Sequence, residues 1–392
     1  LSRAVGEHGS LHPTLAVPDT VQEVLLARIH RLSEPTKEIL QTASVLGREF
    51  SLRLLSTIWS DTTVLETQLG VLMRLEFLYH ETEGAEPVYV FKHALTQEVA
   101  YESLDAPRRQ ALHAAAGAAL ERLYADHLED AYEQLAHHFA RTDQPARAVD
   151  YLTRFARKAA ALYAHEEAVR ALQDARAHVR RLPIEERDRR RLEVVLGQAS
   201  SLFPLGRIQE LLDLLLPERG TAEHVKDPAL AGELYFMLGR ACSFLADYER
   251  AAGHAQRAIE EAERSGDDDL KGKAYCLVAQ DAPVSGRALQ GIENGRQAVA
   301  LLQRTTEPWW LANAHWVVAL NYGQIGEFHL ALEALERAGA VAESTGDPRQ
   351  RTLVAWGAGI LHAVMGEVER GVQECQRALD LAPDPLNRAI AA

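Results

Sequence analysis

In the second half of the chain, apolar and small residues return in phase every 40 positions. Tyr248, Ala288, Phe328 and Val368 form one column. Ala246, Gly286, Gly326 and Gly366 stand two residues earlier, Ala251, Gly291, Ala331 and Gly371 three later, and Ala258, Ala298, Ala338 and Ala378 ten later. A period of this length predicts one supersecondary unit stacked repeatedly, because a single copy cannot bury its apolar face alone. In the copy at 229–263, apolar residues at helical spacing predict a helix over 229–245. Ala246-Asp247 then makes a short turn, and 248–263 is a second helix whose Ala251, Ala255 and Ala258 allow close approach to the first. Ser265-Gly266-Asp267 ends it. Pro283, near the end of the first helix of the next copy, predicts a distortion there. Gly206 and Ile208 carry the phase back into a divergent copy starting at Leu192.

The pattern is different upstream. Helices are predicted over 19–31, 33–45, 51–59 and 61–76, followed by two short runs rich in aromatic and β-branched residues, 77–82 and 88–92, around a Glu83-Gly84-Ala85-Glu86-Pro87 turn. Helices followed by a β-hairpin read as a winged helix. Further helices are expected over 107–124, 128–140, 145–160 and 165–179, where repeat-like starts at Ala148 and Ala168 lie only half a repeat apart. The organisation expected is a tail over 1–17, a winged-helix domain over 18–104, an irregular helical adaptor over 105–182 and a solenoid over 183–392. The charged run 185–191, after Leu182-Pro183, reads as a hinge or, in preference, as the solvated start of a helix.

Composition narrows the function. At 47% hydrophobic and 25% charged, the 392 residues are ordinary for folded domains. A formal charge of −14 and a pI near 5.6 argue against general affinity for nucleic acid or anionic membranes. Cys242, Cys276 and Cys375 lie far apart and offer neither a disulfide framework nor metal spacing, which fits a reducing cytoplasm. No apolar run approaches the roughly 20 residues of a membrane span. A start at Leu1, and a stop just after Asp384-Pro385 has opened another helix, lead to the expectation of an interior piece of a longer protein.

Two resemblances add to this. Leu238-Gly239-Arg240-Ala241, Ala246-Asp247-Tyr248, Ala251 and Ala258, closed in the last copy by Leu381-Ala382-Pro383, resemble the tetratricopeptide repeat, lengthened from its usual period of about 34. The fold class expected is therefore mainly α, a winged helix with a small β-hairpin followed by an α-solenoid of tetratricopeptide-like helix pairs. The stretches at 17–22, 27–32, 40–50 (Leu-Gln-Thr-Ala-Ser-Val-Leu-Gly-Arg-Glu-Phe) and 91–95 (Phe-Lys-His-Ala-Leu) resemble the segment behind the nucleotide-binding module of bacterial STAND-class signalling ATPases. Relatives of that kind are similar to MalT-like activators and to ATPases fused to class III adenylate or guanylate cyclases. The resemblance implies an upstream ATPase module, an output domain elsewhere and repeats that sense a partner. It also implies ATP or ADP in the parent protein and no cofactor in this segment. His93 is placed like the winged-helix histidine that contacts ADP in related proteins, although Ala94 stands where plant relatives have Asp. The alternative is that His93 only caps the helix from Ala94 or packs beside the hairpin.

Other chemistry is poorly represented. Gly266–Ala274 has one residue too many between its glycines, and Ala274 where a P-loop needs a hydroxyl, so it reads as an inter-repeat loop. His165 lacks a second zincin histidine, adjacent His137 and His138 point to different helix faces, and His8 and His12 lie beside Gly9 and Pro13. No catalytic or metal site is expected. The helix at 61–76 carries Asp61, Glu66 and Glu76 against Arg74 alone, and Glu81, Glu83 and Glu86 surround the wing, so the module is expected to pack on protein rather than DNA. The tetratricopeptide resemblance implies that the first helices of the repeats line a groove, with Phe236, Cys276, Trp316 and Trp356 in one column and Arg240, Gln280, Leu320 and Ile360 in the next, and Glu233, Lys273 and Asn313 nearby. Trp316 and Trp356 are read either as adjacent aromatic anchors or as core. A largely apolar, neutral groove suits a protein segment, a peptide or a small hydrophobic effector. A self-contained repeat scaffold, or a DNA-binding regulator, would be the alternative functions.

Overall fold

The computed structural model describes residues 19–59, 61–81, 87–306 and 308–392. The tail with His8 and His12, and Glu83 and Glu86 of the expected wing, lie outside the described residues. The chain divides into two compact units, residues 1–151 and 152–392.

The first unit begins with α1 (Asp19–His30), α2 (Glu34–Leu46), β1 (Glu49–Ser51), α3 (Leu52–Ile58) and α4 (Thr62–Arg74). The hairpin β2 (Leu78–Glu81) and β3 (Val88–Phe91) follows, then α5 (Ala94–Glu102), α6 (Ala106–Leu123) and α7 (Tyr132–Phe139). Local chemistry sets the helix starts. Ser51 Oγ accepts from Leu54 N at 3.1 Å, Asp61 Oδ1 from Val64 N at 3.1 Å and Asp105 Oδ1 from Arg108 N at 2.8 Å. Strand β1 is absent from the sequence expectation. It pairs antiparallel with β3, giving the order β1-β3-β2, and the Phe50 ring stacks on Tyr89 at 5.8 Å. Ile39, Leu40, Leu55, Leu65, Leu69, Leu72 and Phe91 are fully buried between helices and sheet.

In the second unit, the helix α8 (Pro145–Ala161), which starts in the first, leads to α9 (His165–Val179), α10 (Ile184–Leu202), α11 (Ile208–Leu215) and α12 (Arg219–Val225). Four pairs follow: α13 (Pro228–Phe244) with α14 (Tyr248–Ser265), α15 (Asp268–Asp281) with α16 (Ala288–Leu302), α17 (Pro308–Gln324) with α18 (Phe328–Thr345), and α19 (Pro348–Val364) with α20 (Val368–Leu381). A last helix, α21 (Pro385–Ala391), packs on α19. The 40-residue columns have distinct physical roles. Ile208, Tyr248, Ala288, Phe328 and Val368 are the first residues of the second helices. Two residues before each, Gly206, Ala246, Gly286, Gly326 and Gly366 have φ of 70°, 60°, 69°, 80° and 88°, the left-handed conformation that turns one helix into the next. Ala258, Ala298, Ala338 and Ala378 are fully buried. A Cβ on Gly371 would stand 2.8 Å from the Gly359 carbonyl, so that crossing needs glycine for space. As Pro283 predicts, α15 stops at Asp281, three residues before the position equivalent to Phe244. Each first helix packs on the next, α13 on α15, α15 on α17 and α17 on α19, so the first helices form the inner row of the stack.

Candidate ligand groove of the helical repeats

Two cavities open on the inner row. One of about 370 Å³ is lined by Phe203, Arg240, Phe244, Trp309, Trp310, Asn313, Trp316, Arg349, Trp356, Asp384 and Asn387, among others. The second, of about 480 Å³, is lined by Pro283, Val284, Leu320, Gln324, Ile360 and Val364 with further neighbours. Phe244, Gln280, Trp316 and Trp356 belong to both, which makes one groove running along the first helices.

The period places most of the expected groove residues here. Arg240, Asn313, Trp316 and Trp356 border the first cavity, and Leu320 and Ile360 the second. Phe236 does not line either one: it is 5% exposed and supports Trp310 from behind, ring centroids 5.3 Å apart. Cys276 is likewise buried. Of the two columns, the one holding Arg240, Gln280, Leu320 and Ile360 fronts the groove, while its neighbour is largely the wall beneath. Trp316 is 6% exposed and Trp356 half-buried, with centroids 5.7 Å apart, so the pair is both core and groove floor.

The groove is not neutral throughout. The Arg240 guanidinium lies 3.8 Å from the Phe203 ring centroid and 5.3 Å from that of Trp310. Burial among these rings, with Arg349 nearby, lowers its pKa to about 10, which leaves it charged at neutral pH. Arg349 Nη2 donates to Asp347 Oδ2 at 2.8 Å, and Asp384 accepts from Asn387 N at 2.8 Å. Phe203, Arg349, Asp384 and Asn387 were missed by the sequence reading: they come from the divergent copy before α13 and from the starts of α19 and α21, to which none of the 40-residue columns pointed.

His93 occupies the N-cap position of α5, with φ −133° and ψ 135°, and its exposed ring makes no capping hydrogen bond. The near-miss P-loop is not a loop: only Gly266 and Asp267 form the turn between α14 and α15, and 268–274 are the first turns of α15. Gly266 is left-handed at φ 70°, and Asp267 Oδ1 caps α15 by accepting from Leu270 N at 2.9 Å. The histidines His137 and His138 meet a third that the sequence reading did not connect with them. Both rings approach His113 of α6, at 5.9 and 5.2 Å between centroids, and His113 Nδ1 lies 2.9 Å from His138 Nδ1. Among the described residues no group of His, Cys, Asp or Glu is arranged to hold a metal, and no helix is long and apolar enough to cross a membrane.

No protein-family model matches the sequence, and neither does any curated protein. Several solved structures are similar. Aspartyl phosphate phosphatase F from Bacillus subtilis aligns at 14% identity over 97% of this chain and 98% of its own, with a TM-score of 0.56. A Rap protein complexed with competence and sporulation factor aligns at 11% identity over 93% and 90%, TM-score 0.50. A STAND protein with a tetratricopeptide repeat sensor from Pyrococcus horikoshii aligns at 14% identity over 97% of this chain, TM-score 0.48, and the chain spans 61% of that protein's length. These identities speak for fold alone, and the fold is a mainly α stack of tetratricopeptide-like helical repeats.

Proposed function

We propose that the chain is the regulatory and sensing region of a STAND-type signalling ATPase, in which the repeat groove binds an effector or partner and the first unit restrains the ATPase module. The observation that carries this reading is the groove itself: aromatic walls and a guanidinium with no carboxylate partner among the described residues, on the inner row of a repeat stack, form a surface suited to recognition. The order α2, β1, α3, α4, β2, β3, with sheet order β1-β3-β2, supports reading the start of the first unit as a winged helix. Its third helix, α4, exposes Thr63, Glu66 and Thr67, and Gln68 accepts from Thr36 Oγ1 at 2.5 Å, an arrangement that suits protein contact better than phosphate. In this reading the exposed His93 ring donates to ADP held by the upstream module.

The test compares ADP retention and ATP turnover in this chain and in a longer polypeptide that includes the upstream module, with and without His93→Ala. Retention of ADP by the long form, lost on His93→Ala, is the expected result; a long form that never binds nucleotide removes the ATPase reading. One observation favours a second reading, a self-contained interaction scaffold. The fold matches the Bacillus phosphatase F structure nearly end to end, and a similar Rap protein is seen complexed with competence and sporulation factor. Partner binding indifferent to nucleotide would decide for it.

A further inference from the structure

One end of the groove holds a guanidinium with no carboxylate partner among the described residues, and the other is lined mostly by apolar side chains. Among the described residues no carboxylate pairs with Arg240, whose hydrogen bonding is limited to Met237 Sδ at 3.8 Å. Of the other charged groups in that cavity, Arg349 pairs with Asp347, and Asp384, also in the field of Arg349, accepts hydrogen bonds from Asn387. A guanidinium stacked on aromatic faces keeps its N–H edge for an oxyanion. Beyond Trp316 and Trp356 the lining is mostly aliphatic, with Tyr248 and Gln324 among it, and Val284 and Val364 are 66% and 62% exposed. Ser243 Oγ and Asp281 Oδ1 there are already bonded to each other at 2.5 Å. A peptide would bring a backbone amide about every 3.4 Å, and beyond the tryptophans only Gln280 and Gln324 offer side-chain amides to meet them. A methylene chain brings no such demand.

We propose that the groove takes an extended amphiphilic carboxylate, its head group on Arg240 and its acyl chain running over Trp316 and Trp356 to Ile360 and Val364. The charge at one end and the aliphatic wall at the other each match one part of such a ligand. The proposal names the effector class for the sensing role above and rests on that role only for the choice of groove.

Decanoate, below its micellar concentration, is the probe. Four of the five tryptophans, Trp309, Trp310, Trp316 and Trp356, border the groove, so intrinsic fluorescence of the full 392-residue chain reports binding. The expected result is a saturable change with decanoate bound at least tenfold more tightly than decanol or hexanoate, since each methylene adds roughly three- to fourfold. Arg240→Gln brings decanoate down to the affinity of decanol and leaves decanol unchanged. Val364→Glu, at an exposed position that leaves folding intact, weakens decanoate more than hexanoate. Equal binding of decanol and decanoate, indifference to Arg240→Gln, or no saturable response, whether or not a short peptide binds instead, overturns the proposal. Loss of decanoate binding alongside His93-dependent ADP retention overturns the ligand class alone; decanoate binding without nucleotide binding in the long form removes the ATPase reading alone.

Discussion

At the turn between α13 and α14, Ala246 holds φ 60° where the equivalent turns at Gly206, Gly286, Gly326 and Gly366 use glycine. Those glycines have no atom within 4 Å of where a Cβ would stand, so the column selects for backbone conformation rather than for space. A left-handed alanine costs about 1–2 kcal/mol, partly offset by the greater freedom that glycine loses on folding. Ala246→Gly should therefore raise unfolding stability by about 1 kcal/mol and Gly326→Ala lower it by a similar amount, both read from urea midpoints. Asp281 makes the opposite kind of compromise. Burial raises its carboxyl pKa to about 6, against a lowering by the Ser243 hydroxyl bond. The protonated acid is thus favoured in the fold. Its stabilisation is complete below the unfolded value near 3.8 and is lost as pH rises through 6. Asp281→Asn, which keeps an acceptor for Ser243, should match the native chain near pH 4 and exceed it at pH 8 by roughly 2 kcal/mol. Equal pH profiles for the two chains would count against the buried acid.

Helices α5, α6 and α7 meet at a histidine joint. Tyr101 Oη lies 3.1 Å from His113 Nε2, and the same ring meets His138 through Nδ1. Burial lowers the pKa of His113 and His138 to about 3 and that of His137 to about 4, with the neighbouring histidines and Arg141 adding to the effect. The folded state holds these rings neutral. Their contribution is complete above the unfolded value near 6.5 and is lost as pH falls toward 3. Unfolding followed by far-UV circular dichroism should lose up to about 1 kcal/mol per histidine for each pH unit below 6, and His138→Gln should flatten that slope. This joint was not legible in the sequence. Neighbouring residues on a helix point about 100° apart, and nothing local reveals that a ring from another helix will stand between them. Strand β1 was hidden for a related reason. Three residues carry no period, and only β3, some 40 positions on, gives Glu49–Ser51 a ladder to join. The ends of α13 to α20, by contrast, were legible because the same turn chemistry recurs four times.

For the molecule as a whole, the 40-residue register is the strongest constraint, and it governs what can be removed. The columns pointed to Arg240, Gln280, Leu320 and Ile360, which border the two cavities, but also to Phe236 and Cys276, which are buried behind them, while Phe203 and Arg349 escaped because a cavity also collects residues from copies where the pattern has drifted. If contacts in the stack are local, excising one whole period should leave the others able to pack. Removing 248–287 joins Asp247 to Ala288 and takes out the irregular copy with Pro283. The incoming Gly291 and Gly295 are no larger than the Ala251 and Ala255 they replace against α13, so the crossing stays open, and every later column keeps its phase. That chain should retain its helicity per residue and unfold with a denaturant dependence lower by about a tenth, in proportion to the surface removed. Removing only 248–266 deletes α14 alone, so α13 runs directly into α15 and every later inner helix is offered to the outer row. Its small-residue columns would then face solvent and its polar faces the core. Loss of cooperative unfolding in the one-helix deletion, with the whole-period deletion still folded, is the expected outcome. If both deletions fold, or neither does, the period is not the unit of stability.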